Sequence, residues 1–139
     1  MNMYPTGRKI IVVEDNRQNM KLVKDILTPH GYVVMGFQTA EEGIEAAKDG
    51  ADLILMDIQL PGMDGLQAVG ILKSSPVTAG IPAVALTSYA MKGDEERILE
   101  SGYDGYISKP LHFKEFLDKV MALAGTPSDT RLDISGMAR

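Results

Sequence analysis

At 139 residues, 45% hydrophobic and 24% charged, the chain is long enough for one globular domain with its own core and short for two. It has no cysteine, which excludes disulfides, thiolate metal sites and cysteine nucleophiles and fits a reducing cytoplasm. A formal net charge of -5 without a basic block argues against direct nucleic-acid binding, and no apolar run approaches the ~18 residues of a membrane span.

Taken in order, the chain begins with a short lead over 1–7, expected to be disordered, that lacks the basic-then-apolar form of a signal peptide. Lys9-Ile10-Ile11-Val12-Val13 is β-branched and continuously apolar after its first residue, so it predicts a buried strand. It ends on Glu14-Asp15-Asn16, and Asn16 is a suitable helix cap. Met20, Val23 and Leu27 recur at helical spacing beyond it, and Pro29 and Gly31 close that helix. Tyr32 to Phe37 predicts a second strand. Thr39 and Glu42 then have the spacing of a capping box, for a helix that runs to about Lys48.

Leu53-Ile54-Leu55-Met56 predicts a third strand, buried on both faces and ending on Asp57 ahead of the Pro61-Gly62 turn. Gly65 to Ser74 reads as a helix, and Ile81 to Thr87 as a fourth strand with Pro82 near its start. Gly93 to Glu100 is helical with acids early in it, which suits the helix dipole. Gly105 to Ser108 is a short fifth strand, Lys109-Pro110 breaks it, and Phe113 to Leu123 is the last helix. Strict alternation of strands and helices predicts an α/β fold, a doubly wound parallel sheet with helices on both faces. The domain is expected over 8–124, with 1–7 and 125–139 as flexible termini.

In a parallel sheet the carboxyl ends of the strands share one edge, where open α/β sheets bind their ligands. Glu14 and Asp15 end the first strand, Asp57 the third, Thr87 the fourth and Lys109 the fifth. Three carboxylates brought together repel each other unless they are protonated or hold a cation. With oxygen donors only, that cation is expected to be Mg²⁺ or Mn²⁺. Lys109 would add a second positive charge and Thr87 a hydroxyl donor, the parts phosphoryl transfer needs for positioning and charge stabilisation. Asp57 would then be the nucleophile and form an aspartyl-phosphate. Each residue has a plainer reading alone. Glu14-Asp15 suits a helix N-terminus, Asp57 a turn, Lys109 a solvated surface and Tyr106 a core position. Their joint placement favours the site.

Four motifs carry a resemblance over about Arg8 to Ala124. They are Val12-Val13-Glu14-Asp15-Asn16, the run from Leu55 to Gly65 around Asp57, Ala85-Leu86-Thr87-Ser88 and Ser108-Lys109-Pro110. In this order and spacing the chain resembles the response-regulator receiver domains of two-component signalling. That resemblance implies a flavodoxin-like fold with strand order 2-1-3-4-5. It makes Asp57 the phospho-acceptor, with Asp15, Asp57 and the backbone carbonyl of Gln59 holding Mg²⁺ and Glu14 contributing through water. It also makes Thr87 and Tyr106 a switch pair and Lys109-Pro110 a cis peptide.

By the same resemblance, a histidine kinase or histidine phosphotransfer protein donates the phosphoryl group. A downstream protein effector reads the face of the fourth helix, fifth strand and fifth helix, for which Lys92, Glu95, Leu99, Tyr103, Tyr106 and Lys119 are the candidates. The expected role is a stand-alone signalling switch whose only chemistry is its own phosphorylation and dephosphorylation. A receiver from a hybrid kinase, or a phosphorelay intermediate, is the alternative. An Asp-nucleophile phosphatase is disfavoured because Gln59 stands where its general acid is needed, and a flavin binder because Glu14-Asp15 would repel phosphate. Tyr89 and Gln59 are expected to flank the phosphoryl group and hinder the attacking water.

Overall fold

The computed structural model describes residues 7–60, 62–88 and 92–127. Its strands are β1 (Lys9–Val13), β2 (Val33–Phe37), β3 (Leu53–Asp57), β4 (Ala83–Thr87) and β5 (Gly105–Ser108). Its helices are α1 (Arg17–Leu27), α2 (Ala40–Ala47), α3 (Gly65–Ser74), α4 (Lys92–Glu100) and α5 (Phe113–Ala124). All four strand pairings are parallel, in the order β2-β1-β3-β4-β5. This is the doubly wound α/β sheet that the alternation of elements predicts, in the flavodoxin-like strand order that the resemblance implies.

β3 and β4 are buried at every position, and β1 at every position after Lys9. Helices cover both faces, so alternate strand residues feed two separate cores. Ile11, Val13, Ile54, Met56 and Ala85 point to the cluster that includes Ala68, Val69 and Leu72 of α3. Ile10, Val12, Leu53, Leu55 and Leu86 point to the cluster that includes Val23 and Leu27 of α1 and Phe116 and Val120 of α5. Continuous apolar runs with no polar alternation are what a doubly covered strand requires.

Helix starts follow local chemistry. Asn16 caps α1 by accepting from the Asn19 N–H at 2.9 Å, and Thr39 caps α2 by accepting from the Glu42 N–H at 3.2 Å. The reciprocal capping box forms at α3, where Asp64 and Gln67 exchange side-chain and backbone bonds. The helix of α1 is followed by a 3₁₀ turn over Thr28–His30, with Gly31 in the left-handed region at φ 97°. β4 begins at Ala83, two residues after the sequence suggests, because Pro82 has no N–H to give the ladder, although its carbonyl still accepts from Ile54 at 2.9 Å. Of the termini expected to be flexible, Gly7 and Gly125 to Pro127 fall among the described residues, and the Gly125 carbonyl accepts from the Tyr32 hydroxyl at 2.7 Å. Residues 1–6 and 128–139 lie outside the described part.

Candidate functional site

The carboxyl ends of β1, β3 and β5 meet in one acidic cluster with a single cation between its buried members. Glu14 follows β1 directly, with its N–H still on the sheet ladder at 3.0 Å from the Phe37 carbonyl, and it is only 1% exposed. Its Oε2 accepts from the Asn16 N–H at 3.1 Å, and its Oε1 lies 2.9 Å from Lys109 Nζ. That second contact is an ion pair without the angles of a good hydrogen bond, since Oε1 has no partner meeting them. Asp57, the last residue of β3, is 3% exposed. Its Oδ2 accepts from Lys109 Nζ at 2.9 Å and its Oδ1 from the Gln59 N–H at 2.8 Å. Lys109 thus bridges two buried carboxylates, and its peptide to Pro110 is cis.

The electrostatics follow from this burial. Desolvation raises the pKa of Glu14, as does the neighbouring Asp57 charge, against the lowering effect of Lys109 and the Asn16 N–H. Burial works against the charged form of Lys109, but the bond to Asp57 and the charges of Asp57 and Glu14 outweigh it and leave its pKa raised. Asp15 is exposed beside the pair. One carboxylate oxygen from each of Glu14, Asp15 and Asp57 lies within 4.8 Å of the others. Three carboxylates against one ammonium leave negative charge to neutralise, and the donors are all oxygens. The cluster therefore fits a hard divalent cation.

Thr87 closes β4, fully buried, and its carbonyl accepts from the Lys109 N–H at 2.7 Å. It pairs with Ser108, while Tyr106 pairs with Ala85 two residues lower on the same ladder. Tyr106 is half-buried, and the approach of the Glu95 carboxylate of α4 to its hydroxyl, with some burial and the Glu95 charge, raises its pKa. Lys119 of α5 sits 5.7 Å from the centre of the Tyr106 ring. Tyr106, Ser108, Lys109, Glu115 and Lys119 contribute to a groove of about 650 Å³ along β5 and α5.

The structure thus brings Glu14, Asp15, Asp57 and Lys109 together and places Thr87 beside them in the sheet. Tyr106 lies farther along, turned toward α4. The face assignment of Tyr103 is corrected: it is 4% exposed and its hydroxyl donates to the Gly65 carbonyl at 2.6 Å. Gly102, at φ 121°, follows the end of α4, and Tyr103 beyond it faces inward. Tyr89 and the side chain of Lys92 lie outside the described part. Two contacts at the site have no sequence signal. One is the Asn16 amide on Glu14; the other is the Gln59 side-chain oxygen, which accepts from the Ser88 N–H at 3.2 Å and ties the two loops after β3 and β4.

Comparison with known proteins agrees with this architecture. The family model described as the response regulator receiver domain matches residues 10–121. The polar-differentiation response regulator DivK of Brucella ovis is 40% identical over 119 residues, 85% of this chain and 97% of that protein. The stretches Asn19-Met20-Lys21-Leu22 and Ala90 to Ile98 resemble DivK in wording. Among solved structures, the receiver domain of sensor histidine kinase PA1611 from Pseudomonas aeruginosa, which holds a magnesium ion in its active-site cleft, matches with TM-score 0.79 and 31% identity, covering 86% of this chain and 98% of that one. The chemotaxis protein CheY4 of Vibrio cholerae shares the fold at TM-score 0.79 and 21% identity, covering 84% and 98%. With the family match running from β1 into α5 and a relative matched along nearly its whole length, the chain belongs to the response regulator receiver domain family.

Proposed function

We propose that Asp57 accepts a phosphoryl group from a histidine kinase or histidine phosphotransfer protein, and that the phosphorylated chain is read by a protein effector on the α4, β5 and α5 face. The carrying observation is that Asp57 is buried at a strand end with both oxygens already held, by Lys109 and by the Gln59 amide. A nucleophile fixed in this way needs little reorganisation. One Asp57 oxygen forms a bond to phosphorus as the bond from phosphorus to the donor's histidine nitrogen breaks and the imidazole regains a proton. Lys109 has its ammonium in place to stabilise charge on the phosphoryl oxygens, and Thr87 offers a hydroxyl.

Asp15, Asp57 and the Gln59 backbone carbonyl would hold Mg²⁺ or Mn²⁺, with Glu14 reached through water. When bound, the cation supplies charge neutralisation for the carboxylates and the phosphoryl group. The chemistry serves switching and not turnover of a substrate. Charge at Asp57 draws Thr87 toward the new oxygens and frees Tyr106 to leave Glu95 and move inward, which reshapes the face it shares with Lys119. A cytoplasmic setting follows from the proposed donor.

Incubation with Mg²⁺ and acetyl phosphate should add one phosphoryl group by intact mass, and Asp57→Asn should add none. Absence of an adduct on the unmodified chain, with beryllofluoride also failing to bind, would sink the reading. Thr87→Ala should keep the adduct but lose the beryllofluoride-induced NMR shift at Tyr106; a full shift in that variant would separate Tyr106 from the site. The 31% identity to a receiver from a sensor histidine kinase favours one other role, as a hybrid-kinase receiver or phosphorelay intermediate. Loss of the label to a histidine phosphotransfer protein would reveal it.

A further inference from the structure

We propose that Tyr103 is a positioning residue for the loop that follows Asp57, holding the first turn of α3 against the end of β3 through its buried hydroxyl. The inference rests on the assignment of Asp57 as acceptor and of Gln59 to the cation shell.

Tyr103 stands at the foot of β5, yet its hydroxyl ends at Gly65, 38 residues away, with a 2.6 Å bond to the first carbonyl of α3. Gly65 in turn lies directly against the acceptor. Its N–H reaches the Ile58 carbonyl at 3.3 Å. A Cβ placed on it would stand 2.5 Å from Ile58 Cα and 3.0 Å from the Asp57 carbonyl. The chain therefore leaves β3 at Ile58, next to Gln59, and is back against the same point at Gly65. Pinning Gly65 fixes where that loop closes.

The other end of the tie is equally firm. Asp104, the next residue, gives its N–H to the Ala83 carbonyl and accepts the Ala83 N–H on its carboxylate, both at 2.8 Å. Tyr103 therefore connects β5, which leads to Tyr106 and Lys109, to the loop after β3 without passing through β4. Burial and the nearby Asp64 and Asp57 charges push its pKa upward, so the hydroxyl stays protonated and donating throughout the physiological range. A tyrosine that only filled the core would need its ring and some partner. The partner here is the backbone of the acceptor loop.

Tyr103→Phe keeps the ring and removes the bond, and the Gly65 carbonyl retains its place in the helical pattern of α3. Tyr32→Phe is the matched control, since it removes a hydroxyl bonded at 2.7 Å to Gly125, far from the site. Mg²⁺ affinity is read by amide NMR titration without a phosphoryl donor, and hydrogen exchange in the first turn of α3 is read without metal. Phosphoryl uptake from acetyl phosphate is then followed against Mg²⁺ concentration. Tyr103→Phe should weaken Mg²⁺ binding about tenfold, in the range for supports of metal ligands. It should also speed exchange at the start of α3 and recover wild-type uptake at saturating Mg²⁺. Tyr32→Phe should change none of these. Wild-type affinity and exchange in Tyr103→Phe, or an equal shift in Tyr32→Phe, overturns the proposal. A wild type that binds Mg²⁺ but takes no phosphoryl group overturns the acceptor reading and leaves the Tyr103 comparison decided by affinity and exchange.

Discussion

Lys109 holds two buried carboxylates apart from mutual repulsion. Its side chain is 14% exposed, against 1% for Glu14 and 5% for Asp57, and it contacts both at 2.9 Å. Removing one partner of such a pair leaves buried charge uncompensated, at a cost of about 3 kcal/mol or more. Lys109→Met should lose about that much stability in urea unfolding in the presence of EDTA. Mg²⁺ should restore a large part of it, because the cation replaces the missing positive charge among Glu14, Asp15 and Asp57. Equal loss with EDTA and with Mg²⁺ would count against a cation site in this cluster. The sequence already showed which residue types converge here, because parallel topology alone sends the strand ends to one edge. It could not show that Lys109 rests on Asp57 and Glu14 together, since that depends on how far a flexible side chain reaches across the edge.

Elements constrain the site through close backbone contacts. Gly43 of α2 faces β1, and a Cβ there would run into Cγ2 of Val13, the residue before Glu14. Helix propensity favours alanine over glycine by about 1 kcal/mol. Overpacking against a strand costs about 1–3 kcal/mol, so the clash should win. Gly43→Ala should therefore be destabilising, and Val13→Ala combined with Gly43→Ala should cost less than the two single changes added, by at least about 0.5 kcal/mol. Strict additivity in chemical unfolding would show that α2 simply shifts away. At this scale the strands and most helix starts were legible, because apolar runs and capping residues are local signals. The Gly43–Val13 contact was not, and neither was the inward turn of Tyr103. Both depend on the distance between elements that are separated in sequence, and Tyr103 also follows a left-handed glycine at 102.

For the whole molecule, Tyr103 and Lys109 together set an alkaline limit on stability. Both groups hold their protons more tightly in the folded chain. Tyr103 does so chiefly through burial, and Lys109 because Asp57 and Glu14 outweigh the burial that opposes it. Their ordinary values are 10.0 for tyrosine and 10.5 for lysine. Above those values the unfolded chain releases protons that the folded chain keeps, so the unfolded state binds fewer protons and stability falls as pH rises. Below them both contributions are fully present. Unfolding free energy from urea melts should therefore show no slope from these two groups up to about pH 9 and should decline beyond about pH 10. Tyr103→Phe removes one of the two proton donors. It should be less stable than the wild type at pH 8, for want of the bond to Gly65, yet lose less stability between pH 10 and pH 11. The two curves should converge toward high pH. Parallel curves would mean that Tyr103 ionises as readily folded as unfolded, and would overturn the account in which burial beside Asp64 and Asp57 holds its proton.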